Sequence, residues 1–237
     1  MSKTLALIHT SPVLVPSFNV LGQKHLNGAK LFHMVDESLI QQTIRAGQLE
    51  KATVRRLVHH VESAAAAGAD VVLVTCSSIG PAVEVARHLF DLPVLRIDER
   101  MAEQAVTSGR RIGAIATLST TLKPTVELLR DTAHRLGRDV EIESCLCEGA
   151  FEAVLRGDTE THDRSVTTNL VQLAGAVDVI VLAQASMARI ARSLPPDASR
   201  PAVLSSPEMA MMQAREALDA LESQESASAA HRERAVS

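Results

Sequence analysis

Short runs of Val, Ile, Leu and Ala recur along the chain, separated by longer stretches in which apolar positions return at helical spacing. The runs at 5–9, 31–35, 71–75, 94–97, 112–116, 140–144, 179–183 and 202–204 predict strands. Several are unbroken rather than alternating, the pattern of strands covered on both faces in a parallel sheet. Between them, Val54, Leu57, Val58 and Val61 mark a helix over 54–68, and 98–107 reads as another. Strands alternating with helices predict βαβ units.

The chain also repeats itself. The segment from Asp70 through Val74-Thr75-Cys76-Ser77-Ser78 to Ile79 resembles the segment from Asp178 through Leu182-Ala183-Gln184-Ala185-Ser186 to Met187, an offset of 108. The same offset sets Leu5–Ser11 (residues 5–11) on 113–119, Pro93-Val94-Leu95 on Pro201-Ala202-Val203, and Met101-Ala102 on Met209-Ala210. One gapless shift that aligns three strands and a helix entrance predicts a duplication. The fold expected is α/β, with two pseudo-symmetric, Rossmann-like parallel-sheet modules and the active site in the cleft between them. The first module covers 1–108 and the second 109–207, with the break at Ser108-Gly109-Arg110. A helix over about 208–221 is expected to pack on the first module. Residues 222–237 carry Ser, Glu, Ala and Arg without periodicity and predict a frayed tail.

Composition narrows the function. With 46% hydrophobic and 22% charged residues among 237, the balance is that of a globular protein. A net charge of −4 with interspersed signs gives no nucleic-acid footprint. No apolar run approaches the roughly 20 residues that cross a bilayer, and Met1-Ser2-Lys3-Thr4-Leu5 lacks a signal-peptide layout. A cytoplasmic homo-oligomer without membrane or nucleic-acid partners is expected. Three cysteines, Cys76, Cys145 and Cys147, argue against a disulfide framework, and Cys145-Leu146-Cys147 lacks zinc spacing, so no metal is expected. With no Trp or Tyr, the chain has few rings on which to stack a nucleobase, and a small polar ligand fits better.

Ligands of open parallel sheets sit beyond the C-terminal ends of the strands. There the first module offers His9-Thr10-Ser11 and Thr75-Cys76-Ser77-Ser78. The second offers Thr117-Leu118-Ser119-Thr120-Thr121 and Gln184-Ala185-Ser186. Pro81 and Pro124 fit early helical positions, so these hydroxyl-rich runs lead into helix N-termini, where free amides favour a carboxylate. The same hydroxyls could instead serve as helix caps. Neither a G-x-G-x-x-G nor a Walker motif is present. Cys76, at a strand end before a helix, is the candidate nucleophile or acid/base, with a thiol pKa expected below the ordinary value. Cys145 and Cys147 fall at unrelated repeat positions and read as packing residues.

The Val-Thr-Cys-Ser-Ser turn after a buried strand, the Leu-Ala-Gln-Ala-Ser-Met turn in the second half and the run 150–163, with Gly157-Asp158 and His162-Asp163, resemble the aspartate/glutamate/hydantoin racemase superfamily. The resemblance covers nearly the whole chain, to about Leu221. Its members include amino-acid and hydantoin racemases, maleate isomerases and arylmalonate decarboxylases, which work without metal or organic cofactor. The resemblance implies that a small carboxylate binds in the cleft through Thr10, Ser11, Thr75, Ser77, Ser78, Thr117, Ser119, Thr120, Thr121 and Ser186. The racemases carry one cysteine in each module. Here Cys76 matches the first, and Gln184, which cannot exchange a proton near neutral pH, stands at the second. The decarboxylases use one cysteine, at the second position. The function expected is that of a cofactor-independent isomerase or epimerase acting on a small carboxylate, hydroxy acid or oxo acid. Cys76 would be its acid/base or nucleophile, Gln184 would orient the substrate or donate to a developing enolate, and His9 is a candidate second proton carrier. A single-cysteine lyase and a non-catalytic small-acid binding protein are the alternatives.

Overall fold

All eight apolar runs are strands in the computed structural model, which describes residues 2–193 and 201–236. Strands β1 (Thr4–His9), β2 (Lys30–Val35), β3 (Val71–Val74) and β4 (Val94–Arg96) form one sheet in the order β2-β1-β3-β4. Strands β5 (Arg111–Ala116), β6 (Glu141–Leu146), β7 (Val179–Leu182) and β8 (Ala202–Ser205) form a second in the order β6-β5-β7-β8. Every pairing is parallel, and the strand order repeats between the sheets. The stretch 194–200 of the second module lies outside the described residues.

Helices cover both faces of each sheet, so the central strands are unbroken apolar runs over 5–8, 71–74, 112–116 and 179–182. In β1, Leu5 and Leu7 face α1 (Val15–His25), whereas Ala6 and Ile8 face α2 (Glu37–Ala46), α3 (Lys51–Ala66) and α4 (Pro81–Arg87). In the second sheet, Ile112 and Ala114 face α5 (Glu99–Ser108) and α6 (Ser119–Arg135). Ile115, Ile180 and Leu182 face α8 (Thr159–Ala174), with α7 (Ala150–Leu155) and α9 (Ala188–Ser193) beside it. The last helix of each half crosses over. Met101, Ala102, Ala105 and Val106 of α5 join the second core, whereas Ala210, Met211, Ala214 and Leu218 of α10 (Ser206–Val236) join the first. Fully burying a side chain such as Met211 or Leu218 contributes about 2 kcal/mol, so the exchange ties the modules together. Residues 222–236, expected as a frayed tail, continue α10, and Glu225 pairs with Lys3 at the entrance of β1.

The duplication is not gapless. The ladders pair Leu5 with Val71 in the first sheet but Ile112 with Val179 in the second, so β1 maps on β5 with an offset of 107 while β3 maps on β7 with 108. The pairs Val72–Val94 and Ile180–Val203 give β4 an offset of 109, and Leu5–Leu31 and Ile112–Ile142 give β2 one of 111. The expectation of a single shift is corrected accordingly. Parallel apolar strands tolerate a one-residue misalignment on paper, because neighbouring positions on a doubly covered strand are equally apolar. The shared Asp before the third strand has a clear role. Asp70 accepts from the Thr4 amide at 2.7 Å, and Asp178 accepts from the Arg111 amide at 2.8 Å, so each fixes the start of its central strand.

Candidate active site

The strands of each sheet end where the sequence places its hydroxyl-rich runs. Cys76 and Gln184 occupy equivalent positions: each caps a three-residue 3₁₀ turn after the third strand of its half, Ser77–Ile79 in one and Ala185–Met187 in the other. Both turns reach across to the opposite module. The first packs on α6, where Ser78 Oγ lies 2.7 Å from Thr121 Oγ1, and Ala185 of the second packs against the first module's core.

Cys76 is half-buried, and burial pushes its thiol above the ordinary value of 9.0. The Thr10 hydroxyl, the Ser78 and Ile79 backbone amides and the Ser78 hydroxyl pull the other way, stabilising the thiolate. The expected lowering of the thiol is therefore corrected. Beyond Cys76 lie only a three-residue turn and the seven-residue α4, too short to develop a strong dipole, and desolvation wins. Gly80 closes this turn against a buried ion pair absent from the sequence-based expectations. Arg96 grips Asp98 in a bidentate bridge at 3.1 and 3.2 Å, and a Cβ on Gly80 would stand 2.6 Å from the Arg96 guanidinium. The chain does carry a signal for it, a charged pair at i, i+2 straight after an apolar strand.

Gln184 spans the ends of β5 and β7. Its Oε1 accepts from the Thr117 amide at 2.6 Å and the Thr117 hydroxyl at 3.0 Å, and its Nε2 lies 2.8 Å from the same hydroxyl. The ladder offset of 107 makes Thr117 the counterpart of Thr10, so each half pairs a Thr after its first strand with the residue after its third.

His9 is turned into the first module. It is fully buried, its Nδ1 lies 2.8 Å from Thr75 Oγ1, its Nε2 lies 2.9 Å from His33 Nδ1, and its ring packs edge-on to Phe18. Burial, with the neighbouring His33, lowers its pKa to about 4. Thr75 is consumed by His9 and by the Ile8 carbonyl, which it reaches at 3.1 Å. Both residues brace the end of β1 from inside, which corrects the reading of His9 as a proton carrier and of Thr75 as a substrate ligand.

The remaining hydroxyls divide. Ser11 caps the 3₁₀ turn Pro12–Leu14 by accepting from the Val13 amide at 3.4 Å, and Ser78 and Thr121 bind each other. Ser77 is buried, Ser119 is exposed at the start of α6, and the Ser186 carbonyl accepts from Arg189 at 3.1 Å. Thr120 is buried and its Oγ1 has no partner. Pro124 falls inside α6 rather than in its first turn, and it has no N–H to give to the Thr120 carbonyl four residues back. Thr120 therefore presents an unused hydroxyl, donor and acceptor at once, in the first turn of α6. Cys145 donates to Asn169 Oδ1 at 3.1 Å on β6, and burial pushes the Cys147 thiol to about 12, both among packed side chains.

The family model for Asp/Glu/Hydantoin racemase matches residues 14–214, and the chain belongs to that family. Its fold is similar to that of an allantoin racemase from Klebsiella pneumoniae, at 19% identity and a TM-score of 0.65, over 93% of this chain and 89% of that one. It is also similar to a glutamate racemase isoform from Bacillus anthracis, at 17% identity and 0.70, over 92% and 82%. An aspartate racemase from Picrophilus torridus matches at 13% and 0.63, over 91% and 95%. No curated protein sequence matches the chain. Among the described residues, no helix is long and apolar enough to cross a membrane.

Proposed function

We propose that the protein is a cofactor-independent isomerase of the racemase type that acts on a small carboxylate, with Cys76 transferring the proton. The observation that carries this reading is the place of Cys76, a half-buried thiol at the end of β3 that opens a 3₁₀ turn packed on the second module, with Thr10, Ser78 and Ile79 favouring its thiolate. Donors arranged around a sulfur lower the cost of forming a thiolate beside an acidic C–H bond. Proton abstraction next to a carboxylate places charge on the carboxyl oxygens. Thr120, with its unpartnered hydroxyl, and Gln184, through its amide N–H, are suited to receive it. Thr10 and Thr117 hold Cys76 and Gln184 at matching places in the two halves. His9, Thr75 and Asp98 keep their roles behind this layer.

A second reading, a binding protein for a small acid, is favoured by the raised Cys76 thiol and the Gln184 side chain, neither of which a binding site needs to change. Chiral chromatography of single enantiomers of small amino and hydroxy acids distinguishes the two. The proposal expects conversion of at least one of them, lost in Cys76→Ala by a factor of about 10³ or more and largely kept in Cys145→Ala and Cys147→Ala. Ligand binding with no conversion in the wild type favours the binding protein. Equal conversion by Cys76→Ala removes the mechanism.

A further inference from the structure

The second module has Gln184 where the first has the Cys76 thiol, yet it holds an imidazole with an idle nitrogen at the same end of its sheet. His162 is only 1% exposed, and its Nε2 has no hydrogen-bond partner. A buried polar atom left unpaired costs about 1–3 kcal/mol, which a merely structural histidine has no reason to bear. The other ring nitrogen is tightly held. Nδ1 lies 2.7 Å from Asp163 Oδ1, and Asp163 in turn accepts from Arg189 Nε at 3.0 Å. Arg189 also stands 3.2 Å from His162 Nδ1, but the carboxylate is nearer, which keeps the proton on Nδ1 and leaves a lone pair on Nε2. The same arginine donates to the Ser186 carbonyl at 3.1 Å, in the turn that Gln184 caps, so the cluster is fastened to the candidate site.

Its place in the fold follows from the periods of helix and strand. His162, Val166, Leu170 and Leu173 form the buried stripe of α8, and the last three pack with Ile115, Ile180 and Leu182. Gln184 continues the 180–182 alternation and Thr117 the 113–115 alternation, so both belong to the α8 face of the sheet. Because α8 returns antiparallel to β7, its first turn, with His162, lies at the C-terminal end of the strands. Thr120 Oγ1, in the first turn of α6, and Ser206 Oγ, straight after β8, are also buried without a partner at this end of the second module.

We propose that His162, oriented by Asp163, is the proton carrier of the second module and replaces the thiol that Gln184 does not supply. The inference rests on the reading of Cys76 as the first module's proton carrier. In one direction the substrate C–H bond breaks and an S–H bond forms on the Cys76 thiolate. On the opposite face an Nε2–H bond of the His162 imidazolium breaks and a new C–H bond forms, leaving a thiol and a neutral imidazole. The reverse direction exchanges their roles, so no oxidant or reductant is needed. Gln184 is left to hold the substrate between them.

The test uses the full chain in D₂O with both enantiomers of aspartate, of glutamate and of allantoin as probes, followed by NMR and chiral separation. The wild type is expected to place deuterium in the inverted enantiomer of at least one probe. His162→Asn keeps an N–H at the position of Nδ1 for Asp163 but has nothing at Nε2. It should lose inversion by about 10²–10⁴-fold while still exchanging one enantiomer with retention through Cys76, and that remaining exchange shows that the variant is folded. Asp163→Asn, which keeps the imidazole but removes its orienting acceptor, should lose inversion and keep the same retentive exchange. Inversion by His162→Asn at the wild-type rate overturns the inference and leaves the Cys76 reading standing. So does a wild type that only exchanges with retention. Absence of exchange in all six probes removes the Cys76 reading and this inference with it.

Discussion

The Cys76 sulfur sits between opposing influences, and its chemistry depends on which prevails. Burial holds the thiol above 9.0, so at neutral pH most of the free protein carries the thiol, and the thiolate gains as pH rises. Alkylation of Cys76 by iodoacetamide should therefore be slow at pH 7 and rise with a midpoint above pH 9. A midpoint below about 8, under the ordinary range of a free thiol, would contradict the dominance of burial. His9 behaves in the opposite sense. Its folded value of about 4 lies below the ordinary 6.5, so the unfolded chain takes up a proton as pH falls below 6.5 while the folded chain resists. Stability is present in full above pH 6.5 and is lost down to about pH 4, by about 3 kcal/mol when complete. Thermal melts of the wild type should fall over this window, and those of His9→Asn should fall less. The place of Cys76 at a strand end was legible from sequence because a polar turn directly follows an unbroken apolar strand. His9 was misread because no sequence pattern says that a strand-end histidine turns inward to meet His33, 24 residues on and one strand away.

At the scale of elements, the turn after β3 depends on Gly80 lying flat against Arg96. Gly80→Ala would drive the guanidinium from Asp98 and leave the fully buried carboxylate without its partner. A loss of about 2–4 kcal/mol is expected in urea unfolding, together with weaker Cys76 chemistry because Ser78 and Ile79 shift with the turn. An unchanged midpoint would show that Arg96 can move without cost. The strands themselves were easily read, since eight apolar runs bounded by turns leave little choice. Their register was not, because a strand buried on both faces has no polar side to mark a one-residue slip. The Asp70 and Asp178 caps carry that information, with Thr4 and Arg111 as their partners.

For the whole molecule, the two cores are stitched by exchanged helices and by a direct contact between the turn after Cys76 and the first turn of α6. The exchange of α5 and α10 escapes local sequence patterns, because an amphipathic helix shows which face is apolar but not which sheet covers it. The Ser78–Thr121 hydrogen bond joins the two modules two residues from Cys76, so Thr121→Val should cost about 1–2 kcal/mol in stability and speed alkylation of Cys76. A rate unchanged from the wild type would mean that this contact does not limit access. Proton transfer by Cys76 underlies the activity proposed for the molecule. It is tested most directly by the mass of substrate recovered after incubation in D₂O with the wild type and with Cys76→Ala. One deuterium per molecule with the wild type, and none above the enzyme-free background with Cys76→Ala, is the predicted result. Equal incorporation by the two proteins would contradict it.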